Sequence, residues 1–488
     1  MKYQNPILYG DYSDPDVIRS GEFFYMVSSS FTYLPGIPVL RSRDLTRWDL
    51  IGYAASSLPF ERYARPAHKR GTWAPSIRVH DGLFYVYVCL PDEGLLCFTA
   101  ADPSDRWDCH IVKEVTGWID PCPFWDRDGS AWLLHGFAGS RAGIKNILYL
   151  HRMSPDGLHI LDTGRLVYSG DDHGDETVEG PKIDRIGEWY YILCPAGGVP
   201  GGYQLCLRSD RLNGPYERKV VLSQGKTAVN GPHQGGMVQG PDGQWWFIHF
   251  QDRGVYGRVP HLQPVTWRDG WPVMGRDGEP IAEGETPYPA GPGNVRDMSD
   301  DMKGPLKPHW QWQANPREEW YREGAEGLRL RACPYPTLFE AGSFLSQLMQ
   351  YRDFDMDVTV RPALEAGDRC GVGMMGYVWH YAALEGDGVS LYRGEAREVS
   401  LRERERTGES RLCTAALPPA PERVLRLSVR DGVCRYFVRT GDRFEPLGGP
   451  LPMENGGWTG ARPGIFCFSA EGRIGGSALF SSVRVTPA

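Results

Sequence analysis

Short runs of alternating or wholly apolar residues, four to eight long and bounded by turn formers, dominate the first half of the chain. They recur as one phrase: a short polar residue beside Pro or Gly, an aliphatic strand, a turn, then a strand rich in aromatics. The five versions begin at Asp14-Pro-Asp-Val-Ile, Ala74-Pro-Ser-Ile-Arg-Val, Asp120-Pro-Cys-Pro-Phe-Trp, Glu179-Gly-Pro-Lys-Ile and His233-Gln-Gly-Gly-Met-Val, 46–60 residues apart. A repeat of about 40–50 residues holding several short strands is the signature of a propeller blade. Five repeats predict five blades over residues 1–275, with Asp-Gly hairpin turns at Asp81-Gly82, Asp128-Gly129, Asp156-Gly157 and Asp242-Gly243. Ile7-Leu8-Tyr9 is the expected N-terminal strand that closes the ring.

The pattern then changes. Residues 276–308 carry no strand periodicity and read as a surface linker. From 309 to 488 strands return in another rhythm, for example Phe354-Asp-Met-Asp-Val-Thr-Val and Val424-Leu-Arg-Leu-Ser-Val, which predicts a two-sheet, jelly-roll-like β-sandwich. The charged run Arg402 to Arg411 reads as a solvated loop or edge hairpin. The fold class is therefore all-β, a five-bladed propeller followed by a sandwich. The 60 Gly, 39 Pro and 12% aromatic content of the 488 residues agree with turn-rich β structure.

Composition narrows the function. A net charge of −8 and the lack of a basic stripe argue against nucleic acid. No apolar run suits a signal core or a membrane span, so the expected location is the cytoplasm. Eleven scattered cysteines, without a Cys-x-x-Cys pair, read as free thiols in a reducing compartment.

Equivalent positions of a propeller converge on its axis, so Asp14, Asp120 and Glu179 should meet at one mouth of the channel. Asp-Pro and Glu-Gly-Pro are also ordinary turn formers, but three acids at matched positions are hard to ascribe to turns alone. Without a nucleophile set, a phosphate loop or a cofactor fingerprint, the chemistry that suits such carboxylates is glycoside hydrolysis. One acid protonates the leaving oxygen and another activates water or attacks, while a third can raise the proton donor's pKa. Phe31, Trp73 and Trp118 are candidate sugar platforms, with core packing the competing reading. Arg258 is a candidate clamp or a strand-end ion pair. His233 could orient water, bind a central cation or fill the channel.

The motifs Asn5-Pro-Ile-Leu…Ser13-Asp-Pro-Asp, Thr72-Trp-Ala-Pro-Ser, Gly117-Trp-Ile-Asp-Pro, Thr177-Val-Glu-Gly-Pro-Lys, Asn230-Gly-Pro-His-Gln-Gly and Gly257-Arg-Val-Pro-His-Leu-Gln-Pro cover the propeller in order. Together they resemble glycoside hydrolase family 43, in particular its two-domain β-xylosidase and α-L-arabinofuranosidase type, and Trp310-Gln-Trp-Gln-Ala-Asn-Pro resembles the opening of that type's sandwich. The resemblance implies exo-acting removal of a terminal pentose from short oligosaccharides with inversion. It makes Asp14 the general base, Glu179 the general acid and Asp120 the residue that tunes the acid. It places Phe31, Trp73, His233 and Arg258 in a single-sugar pocket, with Arg141, in the Ala138–Lys145 loop, as a weaker contact. Asp16 is a second carboxylate in the first motif, so the base is chosen by position alone. No cofactor is required, calcium on the axis near His233 is a weak candidate, and a homo-oligomer is a candidate state. A retaining propeller glycosidase of the fructan-cleaving kind and a non-catalytic sugar-binding propeller are the competing readings. Inversion implies carboxyls about 6.5–9.5 Å apart, and retention roughly 5 Å. If the sandwich is a buttress, Trp310, Trp312 and Trp320 should be buried at its interface with the propeller rather than form an exposed row.

Overall fold

The computed structural model describes residues 1–291, 293, 298–400 and 403–488, with the side chains of 398–400 and 403–407 outside the description. Five antiparallel sheets of four strands follow one another along the chain, each in simple sequential order. Their first strands are Asp16–Ser20, Trp73–His80, Trp118–Trp125, Lys182–Ile186 and His233–Gln239, and their last are Asp49–Ala55, Asp108–Glu114, Arg165–Ser169, Glu217–Leu222 and Trp271–Met274. The hairpin signals act as expected: Asp81 and Gly82 both take positive φ (47° and 80°), the two-residue turn that matches strand twist.

The alternation along each strand gives every blade two apolar faces, and each face packs on the next blade. Blades one and two share a core around Val27, Val39, Ile77 and Val86. Blades two and three meet at Tyr87, Cys97 and Leu133, three and four at Leu134, Leu150 and Ile192, and four and five at Leu193, Phe247 and Met274. Val17, Met26, Ile248 and Leu262 then join blade five to blade one. Five such layers close a ring.

Closure differs from expectation. Ile7-Leu8-Tyr9 is not a strand, because blade five is already complete with four strands of its own. Lys2–Gln4 pairs instead with Glu283–Glu285, a short strand in the segment expected to have none. The seam is sewn by single bonds: Ile7 N–H to Pro260 O (3.0 Å), and Asn5 Nδ2 to Leu262 O and Ile281 O (2.9 and 2.8 Å). Residues 292 and 294–297 of the expected linker lie outside the described residues.

The C-terminal half forms two facing sheets. One runs Gln311–Trp312, Leu345–Ser346, Arg462–Ser469, Asp368–Met375, Val378–Glu385, Gly388–Ser400 and Glu403–Ala416, with Cys333–Pro334 beside Arg462–Ser469. The other runs Tyr321–Arg322, Leu328–Arg331, Ser477–Pro487, Phe354–Ala363, Arg423–Arg430, Val433–Thr440 and Arg443–Pro452. The charged run thus falls on a paired strand, although residues 401 and 402 lie outside the described residues. Trp310, Trp312 and Trp320 are all buried. Trp312 also exchanges both backbone hydrogen bonds with Leu34 of blade one (2.6 and 2.9 Å), which makes the sandwich a buttress to the propeller. All eleven cysteines are free, Cys109 exposed. No helix among the described residues is long and apolar enough to cross a membrane.

Candidate active site

Where each first strand begins, the backbone makes one left-handed step: Asp14, Ala74, Asp120, Gly180 and Gln234 have φ of 53°, 29°, 56°, 54° and 54°. In blades two, three and five this step sits in a break of the strand register, between Trp73 and Ser76, Ile119 and Cys122, and His233 and Gly235. Such bulges re-aim a side chain, and Asp tolerates the left-handed region better than most residues. By backbone, then, Asp14 and Asp120 are equivalent, whereas Glu179 and His233 stand one residue ahead of their blades' left-handed step. Matching by sequence alone put all five in one register; the structure corrects it by one residue in blades four and five. Gly180 takes the step beside Glu179, where a Cβ would come within 2.9 Å of the Pro195 ring.

The carboxylates differ in what they touch. Asp14, buried, accepts a hydrogen bond from Ser29 Oγ (2.6 Å) and a longer one from Arg258 Nη1 (3.4 Å). Asp16 is pinned instead by Ile77 N–H (2.9 Å) and Arg78 Nη1 (2.7 Å), with Lys182 Nζ 3.8 Å away. Asp16 therefore joins blades one, two and four, through contacts that Asp14 does not share. Asp120 accepts the Gly180 N–H (2.7 Å), which ties blade three to the backbone beside Glu179. Burial, and then the Asp14 charge, pushes the Asp120 carboxyl above the usual range. Glu179 is half-buried. Burial of its carboxyl, then the Asp120 and Asp14 charges, raises it well above an ordinary glutamate, against the pull of Arg258 and Lys145. The shifts favour the protonated form of Glu179 in the presence of neighbouring carboxyls, a bias that acid–base hydrolysis can use.

Around these acids Phe31 and Trp73 form a buried cluster with Ile119 and Ala138, roofed by Trp458. Trp458 comes from the sandwich, in the loop between Arg443–Pro452 and Arg462–Ser469, with ring centres 5.6 Å from Phe31 and 4.5 Å from Trp73. Lys69 Nζ lies 4.7 Å over its ring. Asp11 locks this loop to the pocket: one oxygen accepts the Arg258 N–H (2.8 Å), the other the Gly460 N–H (2.9 Å). Sequence reasoning missed Trp458, Asp11 and Lys145. A signal for the first existed in Gly456-Gly457-Trp458-Thr459-Gly460, an aromatic flanked by glycines, with Gly457 at φ 94° and packed against Tyr377.

The other candidates take varied places. Arg258 donates to Ser13 Oγ (3.0 Å) as well as Asp14, and its guanidinium lies 4.9 Å from the Phe250 ring centre. His233 bonds Gly231 O through Nδ1 (2.7 Å), leaves Nε2 buried without a hydrogen-bond partner among the described residues, and is lowered by burial to about 4, so it is neutral. Arg141 pairs with Asp92 (3.3 Å) and stacks 5.2 Å from Trp73, so it braces the pocket wall. Trp118 does not line the pocket. It stacks on His135 (4.0 Å) in the layer between blades two and three. Among the described residues no group of three or more His, Cys, Asp or Glu is placed to hold a metal ion.

A five-bladed propeller with three convergent carboxyls, one of them raised by burial and its neighbours' charge, under an aromatic roof defines a carboxylate glycosidase. Residues 3–272 match the family described as Glycosyl hydrolases family 43, and residues 300–486 match the Beta xylosidase C-terminal Concanavalin A-like domain. The chain belongs to glycosyl hydrolases family 43. A Xylanibacter ruminicola protein named as a β-xylosidase is 37% identical over 95% of this chain and 85% of its own length. A non-reducing end α-L-arabinofuranosidase of Bacteroides ovatus is 32% identical over 67% of this chain and 65% of its own. A solved Bacteroides ovatus structure, described as Xyloglucan PUL GH43B, superposes over all of both chains with a TM-score of 0.86 at 25% identity.

Proposed function

We propose that this glycoside hydrolase removes single terminal pentoses, β-D-xylose or α-L-arabinofuranose, from short plant-derived oligosaccharides with inversion. Glu179 protonates the glycosidic oxygen as the bond to the anomeric carbon breaks. Asp14 takes a proton from the water that attacks the opposite face of that carbon. The sugar leaves with the new hydroxyl, and solvent exchange returns the proton to Glu179 and removes it from Asp14. Asp120 keeps Glu179 protonated by its charge and holds the acid's backbone through Gly180. Phe31, Trp73 and Trp458 supply the apolar walls of a pocket that takes one ring.

The observation that carries this reading is the raised carboxyl of Glu179 beside a hydrogen-bonded Asp14. The names of the relatives, which include both xylosidases and arabinofuranosidases, support the choice of a pentose. This chemistry needs no cofactor. The residue expected to meet a calcium ion on the axis, His233, offers it an imidazole nitrogen, Nε2, which is buried without a hydrogen-bond partner among the described residues. Calcium prefers several oxygen ligands, so the set fits it poorly and no step is routed through a metal.

The test is release of nitrophenol from 4-nitrophenyl β-D-xylopyranoside and α-L-arabinofuranoside by the wild type and by Glu179→Gln. Hydrolysis of at least one by the wild type is expected, and on the disaccharide of the same pentose, whose leaving group needs the proton most, the variant should be slower by a factor of about 100 or more. A wild type inert on both would remove the pentose assignment, and an unimpaired variant would remove Glu179 as the acid.

A further inference from the structure

The segment that ends in Glu179 is fastened from two sides. Tyr168 of blade three and two residues of blade four hold the middle. Asp175 accepts hydrogen bonds from Tyr168 (2.5 Å), Tyr203 (2.8 Å) and Arg218 (2.9 Å to Nε), and Glu176 O accepts the Gly197 N–H (2.7 Å). Both ends are held by one residue of blade three, Asn146. It lies in the loop between Ala131–Phe137 and Ile147–Met153. Its carbonyl accepts the Gly170 N–H (2.8 Å), and its Nδ2 donates to Asp171 Oδ1 (2.8 Å). Its Oδ1 accepts the N–H of Val178 (3.2 Å), the residue just before the acid.

Asn146 is suited to this. It is buried and left-handed, φ 63°, a conformation Asn adopts more readily than most residues. An amide offers an acceptor and a donor on separate atoms of one short side chain, as a bond to Val178 N–H and another to a carboxylate require. The loop it ends also carries Ala138 of the pocket wall, Arg141 behind Trp73, and Lys145, whose charge acts on Glu179. The sugar-contacting wall and the proton donor are thereby joined through a single side chain.

We infer that Asn146 is a positioning residue for the proton donor: by spanning residues 170–178 it fixes where Glu179 meets the leaving oxygen. The inference rests on the reading of Glu179 as general acid. Protonation matters most when the leaving group is a poor one, so a misplaced acid slows a glycoside of an alkyl oxygen more than one of an acidic phenol. A residue that merely holds the fold slows both alike.

The experiment compares kcat on the 4-nitrophenyl glycoside and on the corresponding disaccharide, for the wild type, Glu179→Gln, Asn146→Gly and the double variant Asn146→Asp with Asp171→Asn. Asn146→Gly keeps the left-handed backbone and removes both side-chain bonds. It is expected to lose about 10-fold in kcat on the disaccharide, with a much smaller loss on the nitrophenyl substrate and little change in KM. The double variant keeps an acceptor for Val178 N–H and reverses the bond to position 171, so most of the loss should return. Equal losses on both substrates, no loss, or no recovery in the double variant would overturn the inference. If Glu179→Gln shows the split and Asn146→Gly does not, the inference alone fails. If Glu179→Gln itself shows none, the acid assignment fails and the inference falls with it.

Discussion

Burial and neighbouring negative charge both raise the Glu179 carboxyl, and this has a cost in stability. A carboxyl raised in the folded state contributes stability that is full below its unfolded value and is lost as pH rises through its folded one. Glu179→Gln should therefore match the wild type near about pH 4 and exceed its Tm by a margin that grows towards about pH 9. Thermal unfolding across that range checks it, and a variant that falls below the wild type at alkaline pH would contradict the raised carboxyl. The three acids were legible in the sequence because each stands beside Pro or Gly at the start of a repeat. The choice between Asp14 and Asp16 was not, since it rests on Arg78 and Lys182, which reach Asp16 from blades two and four. Nor was the placement of Trp118, because a Trp beside a strand start packs equally well on a channel or, as here, on His135.

The blades were readable as elements because alternation and Asp-Gly turns are local signals, while the loops that finish the pocket take their positions from distant partners. The loop bearing Trp458 is placed by Asp11 and, through Ala461 N–H to Val255 O (2.8 Å), by blade five. No periodicity announces such a contact. Trp458 is half-buried and its ring packs on Phe31 and Trp73 rather than in the sandwich core. Its removal should weaken substrate binding more than the fold. For Trp458→Ala the expected outcome is a rise in KM of roughly 10-fold, from the loss of about 1.5 kcal/mol of aromatic contact. Tm should stay close to that of the wild type. Steady-state kinetics with calorimetry decide it, and an unchanged KM would take Trp458 out of the sugar pocket.

In the whole molecule, the ring turns a sequence separation of more than a hundred residues into a site. Blades one and four are not neighbours; blade five lies between them and contributes Arg258 and His233. The expectation of a closing strand failed at this scale. A complete fifth blade leaves no edge for Ile7-Leu8-Tyr9, and the seam is held instead by Asn5, Ile7 and Asp11 with the help of the sandwich. The buttress role expected of the sandwich agrees with the Trp312–Leu34 backbone pair, whereas Trp310, Trp312 and Trp320 are buried in the sandwich's own core cluster; its loop gives it a part in the pocket as well. The role proposed for Asp14 is to act through water, across the pocket from Glu179. Proton NMR of the first sugar released by the wild type from a β-xyloside tests it most directly. With water as the nucleophile, α-xylose forms first and then mutarotates. β-Xylose as the first product would mean direct attack by a carboxylate, and would contradict the role given to Asp14.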